Sequence, residues 1–224
     1  LPELPGTGLR LFNATVYVAG NGVPNQSFFR NLRWGISNNT GQFNSVRVQK
    51  MHFENNVVGI HDRGSSFVEY FKNTFHVADQ GGHPHPRVGM YLWHTRHFTV
   101  EENTFSGTTG ENSTGIYFVG YKAPDTEVEA AIQPNWSYTD EKIYNNTFSN
   151  LRAGCLLSGL LRGNAWGSQD AGLELLCGDY TDNFFDIAVL DRTLLRPNQG
   201  HVLQAGDLQL AGNRFFNQAD CAAN

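Results

Sequence analysis

One phrase, Asn-x-Phe, returns along this 224-residue chain at irregular intervals, each time just behind a pair of alternating apolar residues. "FKNTF" stands at 71–75, "EENTF" at 101–105, "YNNTFSNLRAG" at 144–154 and "AGNRFF" at 211–216. Writing h for an apolar residue, the unit is h-x-h-x-x-N-x-F, followed by Gly and another apolar residue. Val68, Tyr70, Asn73 and Phe75 fit it, as do Phe98, Val100, Asn103 and Phe105, then Ile143, Asn146 and Phe148, and Leu208, Leu210, Asn213 and Phe215. Leu173, Leu175, Gly178 and Tyr180 make a copy with Gly for Asn. Met51, Phe53, Asn56 and Val58 read as a further copy, and a weaker one is centred on Ser27 and Phe29. The second half reads "GI" at 35–36, 59–60 and 115–116, "GM" at 89–90, "GC" at 154–155 and "DI" at 186–187.

Alternation with period 2 over about five residues marks a short strand. A chain that repeats strand, Asn turn, strand and Gly turn is coiling, each coil laying its strands beside those of the one before. Asn then lies above Asn, where side-chain amides bond along the stack and satisfy turn backbone groups. The pattern predicts an all-β parallel solenoid, a β-helix of about seven coils, with Asn56, Asn73, Asn103, Asn146 and Asn213 as its internal ladder. From Ser27 the ladder positions follow at 29, 17, 30, 43, 32 and 35 residues. Solenoids tolerate such irregularity because insertions leave as loops. Two stand out, at 76–88 and 121–141, the second with a turn or two of helix expected at 126–132. A β-sandwich also has many short strands, but it does not require one phrase at each strand end. Residues 1–224 read as one β-helix domain, with an initial coil at 11–20 and residues 1–10 as a partial cap.

Glycine is abundant (24) and charged residues few (17%), a mixture that favours turns and strands over helices. A net charge of −5 argues against a nucleic-acid partner. No apolar run reaches 18 residues, so no membrane-spanning segment is expected. Cys155 takes the place of Ile or Met in other copies and reads as core; Cys177 and Cys221 are compatible with a bridge. Six N-x-S/T triplets, starting at Asn13, Asn25, Asn38, Asn112, Asn135 and Asn145, lend some support to export. A start at Leu1 without Met suits a mature product or a segment of a longer protein.

Alignment of the second strands yields the main site candidate. If Ile60, Met90 and Ile116 stack inward, then His61, Tyr91 and Tyr117 form one outward column, and Arg63, Trp93 and Val119 the next. His61, Arg63, Tyr91, Trp93 and Tyr117 would share one flat face able to meet sugar rings. The competing expectation is that the 121–141 insertion folds over these rings. His76, Asp79, His83 and His85 combine imidazole and carboxylate in one loop, a set that suits zinc, though Gly and Pro punctuation equally suits a solvated loop. Asp179, Asp182 and Asp186, with Arg192 further on, are the nearest approach to a calcium site; Asp186 also reads as a turn former. His94 and His97 flank a coil corner and are expected to point to different sides. No cofactor is required by any of this.

The phrases "NNTFSNLRAG", "GLELLC", "DNFFDIAVLD" and "QLAGNRFF" resemble right-handed parallel β-helix proteins of the pectate-lyase-like superfamily. They look most like exported Bacteroidetes surface proteins that carry such repeats ahead of a C-terminal secretion-sorting domain. The resemblance covers about residues 27–216 and implies a fold more firmly than an activity. Polygalacturonase-like members carry N-T-D, D-D, G-H-G and R-I-K phrases; here the Asn-Thr pairs at 73–74, 103–104 and 146–147 run on to Phe, and 82–84 is "GHP". The expected function is an extracellular, cell-surface structural or adhesive module that meets a polysaccharide or a surface protein partner, alone or in an assembly. The alternative is a polysaccharide lyase or glycoside hydrolase with His61, Asp62 and Arg63 as acid–base set. Alternation counts against Asp62, which it turns inward.

Overall fold

The computed structural model describes residues 6–21, 27–39, 45–78, 87–108, 112–120, 141–161, 172–190, 193–195, 199–202 and 208–216. Its strands fall into three parallel sheets, visited in turn by each coil. The first sheet holds Thr7–Phe12, Trp34–Asn39, Val58–Arg63, Arg87–Trp93, Ser113–Val119, Ala153–Ser158 and Phe185–Val189. The second holds Val16–Ala19, Val46–Gln49, Ser66–Phe71, Arg96–Glu101, Lys142–Tyr144 and Glu174–Leu176. The third holds Phe28–Arg30, His52–Glu54, Thr74–Val77, Thr104–Gly107, Thr147–Ser149, Asp179–Thr181 and Arg214–Phe216. This is a parallel β-helix of seven coils, as the repeat predicts. The insertions enter at corners, the first between Thr74–Val77 and Arg87–Trp93, the second between Ser113–Val119 and Lys142–Tyr144. Residues 79–86 and 121–140, with the expected helical turns at 126–132, lie outside the described residues.

Like stacks on like inside the coil. Phe29, Phe53, Phe75, Phe105, Phe148, Tyr180 and Phe215 form one column, with ring centroids 4.6–5.3 Å apart and planes within 20° of parallel. Ile36, Ile60, Met90, Ile116 and Cys155 form another, fully buried. The Asn ladder runs at the corner between the second and third sheets. Asn73 Nδ2 donates to Asn103 Oδ1 and Asn103 Nδ2 to Asn146 Oδ1, both at 3.0 Å. Each Oδ1 also accepts the backbone N–H of the residue below at 2.9 Å. Asn213 repeats the arrangement on Gly178 N and Leu175 O.

Four readings of the sequence need correction. Asn56 is not in this ladder: Phe53 pairs with Phe75 and His52 with Thr74, so Met51 holds the ladder position and the first two spacings are 24 and 22, not 29 and 17. Asn56 belongs to the corner between the third and first sheets, where it accepts from Leu32 N at 2.9 Å and donates to Phe29 O at 2.8 Å. Asn183 does the same there, with Leu151 N and Phe148 O. Residues 7–10 are not cap but part of the first strand, Thr7–Phe12. Leu208–Leu210 does not extend the second sheet; it pairs antiparallel with Gly200–Val202. Its place at the sheet edge is taken by Gln199, whose amide accepts from Leu175 N at 2.8 Å and donates to Leu173 O at 3.1 Å. Asp186 lies within the strand Phe185–Val189, not in a turn.

The Gly positions are equally strict. Gly8, Gly35, Gly59, Gly89, Gly115 and Gly154 form one column in the first sheet. A Cβ on any of them would lie 2.5–2.7 Å from the carbonyl oxygen of the column residue in the next coil and 2.6–2.9 Å from the stacked ring of its own coil. Close backbone approach therefore selects glycine here.

Candidate functional site: an aromatic row on the first sheet

Register fixes the outward face. Ile60 pairs with Met90 and Met90 with Ile116, so His61, Tyr91 and Tyr117 are also neighbours, and Arg63, Trp93 and Val119 form the adjacent column. The structure thus brings together all five residues the alternation selects. It adds Trp34 below them: Trp34 and His61 rings lie 5.3 Å apart at 12°, His61 and Tyr91 5.4 Å apart at 14°. Strand spacing near 4.8 Å puts the register partners His61 and Tyr91 directly on one another, whereas Trp34 is paired with Val58 and reaches the His61 ring from another column. The stacked rings present edges and polar tips to the outside, not faces. Tyr117 breaks the stack, tilted 55° to Tyr91 at 5.2 Å. The Arg63 guanidinium sits 4.0 Å from the Trp93 ring centroid, and His94 packs on Trp93 at 4.8 Å.

Electrostatics give the face a sign. The outward positions of the first sheet's described residues hold Arg10 and Arg63 and no Asp or Glu, and Arg33 lies 5.0 Å over the Trp34 ring. This contrasts with a chain of net charge −5. Burial, and then the charge of Arg63, hold the His61 imidazole pKa below its usual value. Burial and Arg63 lower His94 too, against a smaller opposing effect from a Gly120 backbone hydrogen bond. Burial, then neighbouring Tyr117, raise the Tyr91 phenol.

Asp62 is not on this face. It is fully enclosed, its Oδ2 accepting from Asn38 Nδ2 at 2.8 Å and from the Tyr70 hydroxyl, its Oδ1 from Thr95 Oγ1 at 3.1 Å. Burial raises its pKa, while these donors and Ser65 oppose the rise. The set His61, Asp62 and Arg63 is therefore split across the sheet, two outside and one inside.

The other candidates fare differently. His76 is exposed on the third sheet, 3.3 Å from Ser106 Oγ, whereas Asp79, His83 and His85 lie outside the described residues. Asp179 is engaged by Arg214, with Nε to Oδ1 at 2.6 Å, Asp186 accepts from Asn183 at 3.1 Å, and Arg192 lies outside the described residues. Among the described residues no group of three His, Cys, Asp or Glu could hold a metal ion. Cys155 is buried beside the Tyr180 hydroxyl, its thiol pushed up to about 12 by burial, and Cys177 is a free thiol; Cys221 lies outside the described residues. His94 and His97 do part ways, His94 to Trp93 and His97 to a stack on Phe67 at 4.8 Å. Phe67 itself is 56% exposed with φ of 58°, an uncommon conformation for a bulky residue. Sequence reasoning missed Trp34 and His94 as members or neighbours of this face. The "RWGI" at 33–36, one residue ahead of the Gly column, was the available signal for Trp34.

No helix among the described residues is long and apolar enough to cross a membrane. Compared with known proteins, the chain matches no protein-family model, no curated protein and no solved structure.

Proposed function

We propose that the chain is an extracellular or cell-surface β-helix module that binds carbohydrate along the outer face of its first sheet. The observation that carries this reading is the in-register row of His61, Tyr91 and Tyr117, extended by the Trp34 ring stacked on His61 from another column, flanked by Trp93 and Arg63 and free of carboxylates among the described outward positions. Such a row offers ring edges, hydroxyls and N–H donors at one-coil intervals. It suits an extended chain lying along the coil axis, and its positive sign favours glycans with acidic groups. Placement near the pectate-lyase-like superfamily and the exported surface proteins of Bacteroidetes is part of the same proposal; the three-sheet parallel coil is compatible with it.

The test is a binding screen of the purified chain against neutral and acidic polysaccharides, with Tyr91→Ala/Trp93→Ala as control and an assay for new reducing ends or unsaturated product. Binding lost in the double variant without product supports a recognition surface. The alternative, a polysaccharide lyase or glycoside hydrolase, draws on the place of His61 beside Arg63 on the outer face, where burial and then the Arg63 charge lower its pKa and so favour the neutral form a base requires. Product formation that His61→Ala abolishes would favour it.

A further inference from the structure

The glycine column of the first sheet has one exception, and it falls on the last coil. Gly8, Gly35, Gly59, Gly89, Gly115 and Gly154 are followed in register by Asp186, since Ala153 pairs with Phe185 and Cys155 with Ile187. At each of the six glycines a Cβ would come within 2.5–2.7 Å of the next coil's carbonyl oxygen, nearer than the 3.0 Å below which real Cβ atoms essentially never approach. Asp186 carries a Cβ at this position, and among the described residues no strand of the first sheet lies beyond it.

The same end of the molecule has the features of an edge at risk. Phe184, Phe185, Val189, Leu190, Phe215 and Phe216 are 40–75% exposed there. Phe215 ends the ring column, above rings that are at most 2% exposed from Phe53 to Tyr180. A parallel strand edge with apolar side chains is a template for another strand. On the second sheet the edge strand Glu174–Leu176 is occupied by the Gln199 amide. On the first sheet no comparable side-chain amide stands among the described contacts of Phe185–Val189.

We propose that Asp186 is a steric stop that prevents any further coil, and in particular the first coil of a second copy, from adding in register to the last strand of the first sheet. The added coil would bring the carbonyl oxygen of its column residue, Gly8 in a second copy, onto the Asp186 Cβ at the separation the other six positions forbid. Head-to-tail addition of this kind does not close on itself and leads to filaments. The stop acts through Cβ, not charge, so Ala serves as well as Asp and only Gly removes it.

The test compares wild type, Asp186→Ala and Asp186→Gly by sedimentation equilibrium over a wide concentration range, with thermal unfolding to confirm that each is folded. Glycine at 186 is what the other six coils carry, so the fold is expected to persist. Asp186→Gly should associate, its average mass rising with concentration to several times that of wild type and elongated particles appearing by electron microscopy. Asp186→Ala should stay with wild type. An Asp186→Gly protein that associates no more than wild type would overturn the proposal, as would an Asp186→Ala protein that associates as strongly as Asp186→Gly.

Discussion

Asn103 contains in one side chain the bonding that joins coil to coil. Its Oδ1 accepts from both nitrogens of Asn73 at 2.9 and 3.0 Å, and its Nδ2 donates to Tyr70 O and Glu101 O at 2.8 and 3.0 Å. The site is 1% exposed, so no water replaces a lost partner. Leaving a buried backbone group unpaired costs about 1–3 kcal/mol each. Asn103→Ala should thus lower stability by about 3 kcal/mol, read from urea midpoints, and Asn213→Ala at the half-buried end of the ladder should lower it less. His61 gives a pH signature. Its folded pKa lies below the unfolded value, so the fold favours the neutral ring. The stability it contributes is present above the unfolded pKa of about 6.5 and lost as pH falls through the folded one. Wild type should lose stability relative to His61→Gln as pH drops from about 7.5 to about 5. A constant difference across that range would contradict the assignment.

At the scale of the element, the first-sheet strand is the most constrained piece of the molecule. One position must be glycine, the next is buried and apolar, and the one after faces out. Gly115→Ala would set a Cβ 2.6 Å from Gly154 O and 2.8 Å from Phe148 Cδ1. Overpacking against backbone has little room to relax, and a loss of about 3 kcal/mol is expected, measurable as a lowered Tm. This strictness is why the face was legible in the sequence: "GI", "GM" and "GI" set the register, and His61, Tyr91 and Tyr117 then fell into one column. The ladder was legible only in part. Asn serves two corners by the same chemistry, accepting from a backbone N–H and donating to a carbonyl, as Asn73 and Asn56 both do. A local phrase cannot say which corner it marks, and coil two, with Met51 at the ladder position, gave no second signal. Ring orientation was not legible at all, because alternation gives the side of the sheet and not the tilt of the ring.

For the whole molecule, stacking is nearly one-dimensional: each coil touches its neighbours, and stability accumulates coil by coil and interface by interface. The two ends and three faces are then the surfaces left to meet partners, and the faces differ in character. The second sheet carries a paired row, Arg47 with Glu69 at 3.3 Å, and Tyr144 in another column, between Glu101 and Leu176. The first carries the aromatic row and cations. Face specificity is the account's central claim, and the direct measurement is the affinity of Tyr91→Ala and Tyr144→Ala for whichever polysaccharide wild type retains. Tyr91→Ala should weaken binding by about tenfold, equivalent to about 1.4 kcal/mol, with Tyr144→Ala unchanged. Equal losses in the two variants, or loss confined to Tyr144→Ala, would contradict it.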